Sequence, residues 1–517
     1  MYIDATTPTH HITAAHAHLL IRQLIAGFKY GGIQTGDVVL VHAFNSIYYP
    51  IVVLGVIGTG AIYTGKNPGY TKWEIEHALR STGAKMVVCD AEAVGHGTSV
   101  AAEAFGLSAE RILTLDHMLL HLPLPRPANG HRSWRTLLTH GEADWQRFDD
   151  EKTSRETVAG LFFSSGTTGL PKLTKLSHYS LIAQHTLVFE ANPRPYILKR
   201  LIALPMFHAV TAPSTHISPL RAGHQQVVIR RYEPKSFLEM MEKHRVTDLT
   251  LVPPQVTSML ALSVSTEEKR SMLASVRWAI GGAAHLDATT QKRFQDLLPQ
   301  GCPFTQIWGM TEVSCFGSIL PWPEEDDIGS VGRFVSNLDV KLLDDKDRDI
   351  TAYDVRGELA IRGPTVTSGY VGVPRERDFD NEGYFRTADV LYCDGRTKLW
   401  YIVDRKKELI KIRGFQVAPA ELEGVLLECP GVADVTVIGV NRGDGKEEVP
   451  RAYVVKKQDE EVSETQVKSW VEARLAKYKK LDGGVVFVTS IPKSPSGKIL
   501  KRVLKEEAKK EEIHAKL

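Results

Sequence analysis

Between residues 37 and 307 short apolar runs alternate with longer amphipathic ones, and that alternation leaves few folds open. The runs 37–43, 85–89 and 111–115 read as buried strands, while 13–30, 45–61 and 72–81 carry helical spacing, with Leu20, Leu24 and Phe28 four residues apart. After residue 172 the pattern resumes, with strands predicted at 201–204, 225–229, 248–252, 276–280 and 304–307 and helices at 180–190, 234–244 and 286–298. Such alternation builds mostly parallel sheets covered by helices, an α/β fold. From about residue 329 short β-type runs take over (340–343, 358–361, 399–403), which predicts a β-rich subdomain. A charged, glycine-free junction, Asp404-Arg405-Lys406-Lys407-Glu408, precedes a block with its own strands (435–440, 451–455) and helices (419–427, 464–481). The reading is a large N-terminal domain, 1–403, of layered α/β subdomains ending in the β-rich one, and a small C-terminal α+β domain, 404–517.

Bulk properties narrow the class. A chain of 517 residues is too long for one core. A net charge of +2 gives no field for nucleic acid or an anionic membrane, so any polyanion site must be local. Five scattered cysteines without metal spacing fit a reducing compartment. The N-terminus lacks the basic and apolar regions of a secretory signal. Residues 47–65 carry no charge until Lys66, yet Pro50 and several glycines suit a buried helix of an α/β domain better than a membrane span. His16 and His18, two apart, point to different faces of a helix and make no metal site.

Chemistry concentrates where strands end. The apolar run 159–163 enters Ser164-Ser165-Gly166-Thr167-Thr168-Gly169-Leu170-Pro171-Lys172. Glycines let backbone N–H groups approach an anion, and hydroxyls and a lysine add donors for phosphate oxygens. Pro171 stands where a Walker loop needs its second glycine, so this is a nucleotide-phosphate loop of another kind. Further predicted strands run into Pro205-Met206-Phe207-His208, Gly281-Gly282-Ala283-Ala284 and Trp308-Gly309-Met310-Thr311-Glu312. These loops share one sheet edge, where open α/β sheets bind ligands.

Together with Tyr384-Phe385-Arg386-Thr387-Ala388-Asp389, Asp404 to Lys411, Gly414 to Glu423 and Pro495-Ser496-Gly497-Lys498, these loops resemble the adenylate-forming superfamily of acyl-CoA synthetases, adenylation domains and luciferases. The nearest likeness is to 4-coumarate–CoA ligase-like enzymes, over nearly the whole chain. The resemblance implies ATP-dependent activation of a carboxylic acid to an acyl-adenylate, then transfer to CoA, with ATP, Mg²⁺ and CoA as co-substrates. It implies that Ser164, Ser165, Gly166, Thr167, Thr168, Gly169 and Lys172 hold the outer phosphates, and that Glu312 holds Mg²⁺. Thr311 would contact the α-phosphate and Trp308 would offer a face to adenine. Gly282, Ala283, Ala284, Gln306 and Gly309 would complete the nucleotide site. Asp389 and Arg405 would bind the ribose. Lys498 would bridge the substrate carboxylate and α-phosphate, with Lys411 and Gln416 on the AMP phosphate. The acyl pocket would be His208, Val210, Thr211, Gly281, Gly309, Met310 and Val313. A mobile C-terminal domain would swing about Lys407 and bring Arg413, Gly414 and Phe415 to line the CoA tunnel.

Some residues depart from the family pattern or refine it. Leu173 and Ala388 stand where glycine is usual, and Tyr2-Ile3-Asp4 aligns some tens of residues into a typical member, which predicts lower stability. Amino-acid-activating members carry an aspartate after the residue matching Phe207; here His208-Ala209 follows, so an aromatic or medium-chain aliphatic acid is expected rather than an α-amino acid. The alternative is an adenylating enzyme with a non-CoA acceptor, luciferase-like or carrier-protein-loading. The C-terminal Ala515-Lys516-Leu517 resembles a peroxisomal address, which would recruit an import receptor; the cytoplasm is the other expectation, and a monomer or homodimer is expected.

Overall fold

The structure, a computed structural model, describes all residues except 96, 126, 128, 129, 165–171, 284, 285, 407, 413, 414, 442–447, 459, 476, 495, 496 and 515–517; at 94, 95, 411, 415, 416, 478 and 512–514 it describes the backbone alone. Two large sheets form the N-terminal part. In the first, the strands Ile112–Leu115, Met86–Asp90, Val38–His42, Ile62–Lys66 and Val158–Ser164 lie parallel, and Lys172–Ser177 closes the edge antiparallel. In the second, Phe304–Gln306, Trp278–Gly281, Asp248–Leu251, Lys199–Ile202, Gln225–Val228 and Tyr2–Asp4 are parallel, with His11–Ile12 antiparallel at the end.

The main core lies between these sheets and the helices packed on them. The helix Ala14–Tyr30 starts at Thr13, whose side chain accepts from the His16 amide, and buries Leu20, Leu24 and Phe28 along one stripe. It packs against Tyr49–Gly58 so closely that a Cβ on Gly55 would lie 2.7 Å from the Leu24 Cβ. That second helix is shorter than expected. Pro50 opens it, and Gly60, at φ +82°, turns the chain into the strand Ile62–Lys66, which the charge-free stretch had hidden. The helix predicted over 180–190 is α-helical only through His185 and then π-helical over Thr186–Glu190.

The β-rich part starts earlier than 329. Trp308–Met310, Cys315–Ile319 and Arg333–Phe334 form an antiparallel sheet, followed by Asp339–Leu343, Gly357–Arg362, Phe385–Cys393 and Trp400–Arg405. Asp404 and Arg405 thus still belong to the N-terminal part. Beyond them lie the hairpin Ile410–Ile412/Phe415–Val417, the strands Val432–Asn441, Glu448–Lys456 and Val485–Phe487, and the helices Pro419–Leu427, Glu464–Glu472 and Lys501–His514 around their own cores. No helix among the described residues is long and apolar enough to cross a membrane.

Candidate active site

The site collects where the C-terminal ends of the parallel strands meet the β-rich part and one loop of the C-terminal domain. Ser164 ends its strand opposite Lys172, so the intervening loop springs from a closed antiparallel pair. Ser165, Gly166, Thr167, Thr168 and Gly169 lie outside the described residues. Lys172 Nζ is 3.4 Å from Asp378 Oδ1 and 4.3 Å above the Tyr370 ring. The Tyr370 hydroxyl in turn donates to Glu312 Oε1 at 2.7 Å. Glu312 is buried, held in the turn Thr311–Val313, and its carbonyl accepts from the Thr367 amide. One tyrosine therefore ties Lys172, at the end of the candidate phosphate loop, to the candidate metal carboxylate. Tyr370 and Asp378 carry no motif of their own, and sequence reasoning missed both.

Asp389 and Arg405 are direct cross-strand partners, with Arg405 Nε 3.0 Å from Asp389 Oδ1. The other carboxylate oxygen accepts from the Trp308 indole N–H at 2.8 Å. Trp308 is only 2% exposed, its ring packed over Gly317 and edge-on to Phe334, so it offers adenine little open face. Its evident contact is with Asp389. Ala388, before it, sits at φ +60°, where glycine would be relaxed. Losing a hydrogen bond to a charged group costs about 1.5–3 kcal/mol, so Trp308→Phe is expected to raise KM for ATP roughly tenfold or more with kcat nearly unchanged. Steady-state kinetics at varied ATP checks this.

Several expected site residues are used otherwise. Gln306 spends its amide on Leu286 and Gln291, which fastens the loop after Gly282 instead of leaving it for nucleotide. On the strand Trp278–Gly281 side chains alternate between faces. Gly281 looks toward Phe304 and Leu286, while Gly282 looks toward Ile307. Val313 is buried in the β-rich core, and Met310, partly buried, packs against it. Thr211 donates to the carbonyls of Pro205 and His208 and serves the turn. A Cβ on Gly309 would lie 1.9 Å from the Cys315 carbonyl oxygen, so only glycine fits there. Ala283 has φ +71°; Ala284 lies outside the described residues. The Val210 carbonyl accepts from the Cys315 thiol at 3.3 Å. Cys315, another residue not foreseen, has φ +116°.

His208 Nδ1 accepts from the Val210 amide at 3.2 Å, which leaves Nε2 as the protonated nitrogen of a neutral ring. Burial and then the neighbouring Lys498 push its pKa down to about 4. Lys498 reaches this place from the C-terminal domain. Its loop closes through the Ser494 amide to the Lys498 carbonyl and the Gly497 amide to the Ser494 carbonyl. Gly497, at φ +81°, packs so tightly that a Cβ would meet Pro254 at 2.9 Å. Burial first, and Arg405 second, lower the Lys498 pKa to about 8, while Glu408, Asp389 and Glu312 act against them. Lys498, Glu312, Asp389 and Arg405 thus share one field.

Lys411 and Gln416 are opposed across the hairpin, but their side chains and that of Phe415 are not among the described parts. Lys407, Arg413 and Gly414 lie outside the described residues. Among the described residues no cluster of three or more metal-ligating side chains occurs.

The sequence profile of the AMP-binding enzyme family matches residues 2–371, and that of the AMP-binding enzyme C-terminal domain matches 421–498. The chain is 48% identical over 511 residues to the phenylacetyl-CoA ligase epaB of Aspergillus niger, covering 98% of this chain and 93% of the relative. It is 34% identical over 506 residues to 4-coumarate–CoA ligase 3 of Arabidopsis thaliana, covering 95% and 86%. Among solved structures, ATP-bound MatB from Rhodopseudomonas palustris superposes with a TM-score of 0.81 at 26% identity, covering 96% and 93%. The chain therefore belongs to the AMP-binding enzyme family, the adenylate-forming enzymes. Within that family it is an AMP-forming acyl-CoA ligase, which activates a carboxylic acid with ATP and transfers the acyl group to CoA.

Proposed function

We propose that the acid is aromatic or medium-chain aliphatic and not an α-amino acid, and that the two half-reactions divide among the residues above. The observation that carries this reading is the convergence of Lys498, Arg405, Asp389 and Glu312 in one field across the two domains. Carboxylate attack on the α-phosphate brings two anions together, and such a reaction needs preplaced cations and donors. Lys498 supplies a compact positive charge between the carboxylate and the α-phosphate, and Thr311 a hydroxyl beside it. Lys172 and Ser164 anchor the loop that grips the departing pyrophosphate. Asp389, held by Trp308 and Arg405, takes the ribose hydroxyls.

Glu312 fits Mg²⁺: a hard carboxylate beside the phosphate loop, in the manner of magnesium sites completed by substrate phosphates. The ion would neutralise phosphate charge. After adenylation the C-terminal domain turns about Lys407, withdraws Lys498, and brings Arg413, Gly414 and Phe415 to the CoA thiol. One chain supplies all these residues, so a monomer or a homodimer serves equally. Ala515-Lys516-Leu517 directs the enzyme to peroxisomes through an import receptor. A fluorescent fusion ending in these residues should enter peroxisomes, and deletion of the last three should leave it outside.

The name of the Aspergillus niger relative favours an arylacetic acid. No carboxylate follows His208, so a substrate ammonium has no partner there. Hydroxylamine traps acyl-adenylates as hydroxamates. Phenylacetate, cinnamate and octanoate are expected to give hydroxamates and AMP, and phenylalanine none. Hydroxamate from phenylalanine alone would overturn the substrate class.

A further inference from the structure

A polar row crosses the face of the second sheet. Gln226, Arg200, Asp248 and Trp278 are successive cross-strand partners, so their side chains share one face. All four are at most 3% exposed. Asp248 accepts from the Thr247 and Tyr196 hydroxyls. Its neighbours are less well satisfied. Arg200 Nη1, Trp278 Nε1, both amide atoms of Gln226 and Nδ1 of the adjacent His224 have no partner among the described residues. Buried polar groups are nearly always paired, so five unpaired atoms in one layer call for an occupant.

The charge of the layer says what kind. Two guanidiniums, Arg194 and Arg200, act on a single buried carboxylate, Asp248. Burial first, then these arginines and His185, push the His224 pKa down to about 3, so that ring is neutral. Arg194 lies 4.2 Å over the Trp278 ring, and Arg200 4.6 Å over Phe189. The surplus is of donors and positive charge, which suits an acceptor oxygen.

The row shares its face of the sheet with Ile280, and an apolar cluster joins that face to Val210. Phe189 packs edge-on against Phe316, which follows Cys315, and the Cys315 thiol binds the Val210 carbonyl. Trp278 and Ile280 join Phe189, Cys315 and Phe316 in one apolar cluster, with Val210 at its margin. Trp278 precedes Gly282 by four residues, roughly 13 Å of strand. The π-helical segment Thr186–Glu190, a backbone form often found at functional sites, sets Phe189 against Arg200.

We propose that this row is the far end of the acyl pocket and recognises an oxygen substituent at the end of the substrate remote from its carboxylate, a ring hydroxyl or a chain-terminal hydroxyl or carbonyl. The proposal rests on the acid-activation reading and adds to it a second recognised group. Its test compares two pairs of acids, cinnamate with 4-coumarate and octanoate with 8-hydroxyoctanoate, by kcat/KM for pyrophosphate release. In the wild type the oxygenated member of at least one pair should exceed its parent about tenfold or more, because a site built for a hydroxyl rejects the analogue lacking it. Arg200→Met and Trp278→Phe should each bring that ratio toward one. Trp278→Phe removes the donor with a smaller change of volume and serves where Arg200→Met fails to fold, as judged by thermal melting. A wild-type ratio at or below one in both pairs, or a ratio unchanged by the variants, overturns the inference. Release from the parent acids without any gain from oxygen defeats it while acid activation stands; silence with all four acids defeats both.

Discussion

Lys498→Ala is expected to lower acyl-adenylate formation by about a thousandfold while thioester formation from supplied acyl-adenylate stays within about threefold of wild type. The asymmetry follows from where the lysine sits. Its loop is docked on Val252 and Pro254 of the N-terminal domain, and its ammonium lies in the field of Arg405, Asp389 and Glu312. A charge there offsets the approach of carboxylate to phosphate, which is needed only in the first half-reaction. The same position gives a pH signature. Burial and Arg405 hold the ammonium at about 8, so the useful charged form is lost as pH rises through about 8. Adenylation should fall over that interval, and thioester formation from supplied adenylate should not follow it. Lys498→Arg keeps the charge and should move the fall to higher pH. Pyrophosphate exchange and single-turnover thioester assays measure the two steps separately; equal losses in both would refute the division of labour.

Glu312→Gln is the second large effect. Glutamine preserves the shape and the acceptor for the Tyr370 hydroxyl but removes the charge that holds a divalent cation. Adenylation should fall by about 10²–10³, with no recovery at high Mg²⁺. Tyr370→Phe keeps the carboxylate and frees it from its tether, so a loss of about tenfold is expected, from the roughly 1.5–3 kcal/mol of a hydrogen bond to a charged group. Raising Mg²⁺ should restore part of that loss, since the ligand itself remains. A Glu312→Gln enzyme with wild-type rate at ordinary Mg²⁺ would remove the carboxylate from the metal role.

Much of this was legible in the sequence because local signals and tertiary placement agree. The helix at 14–30 has its cap at Thr13 and its apolar stripe, and the parallel strands are short apolar runs closed by glycine or polar loops. The strand Ile62–Lys66 was not legible, because an uninterrupted apolar stretch looks alike in a buried helix and a buried strand. The start of the β-rich part at Trp308 was hidden for a related reason: a three-residue strand carries no periodicity. At the site, motifs located backbone positions but not the direction of side chains. Gly281 and Gly282 differ by one residue and face opposite sides of a sheet. Trp308 reads as an aromatic face until its N–H is seen on Asp389. Tyr370, Asp378 and Cys315 become visible only when distant strands meet, for none stands in a pattern that names its chemistry.

The central claim is that the acid attacks the α-phosphate of ATP before the acyl group reaches CoA. Phenylacetate labelled with ¹⁸O in both carboxylate oxygens tests it directly, with the products resolved by mass spectrometry. One labelled oxygen should appear in AMP and the other remain in the phenylacetyl thioester, in equal amounts. Label in inorganic phosphate, or AMP free of label, would contradict the mechanism.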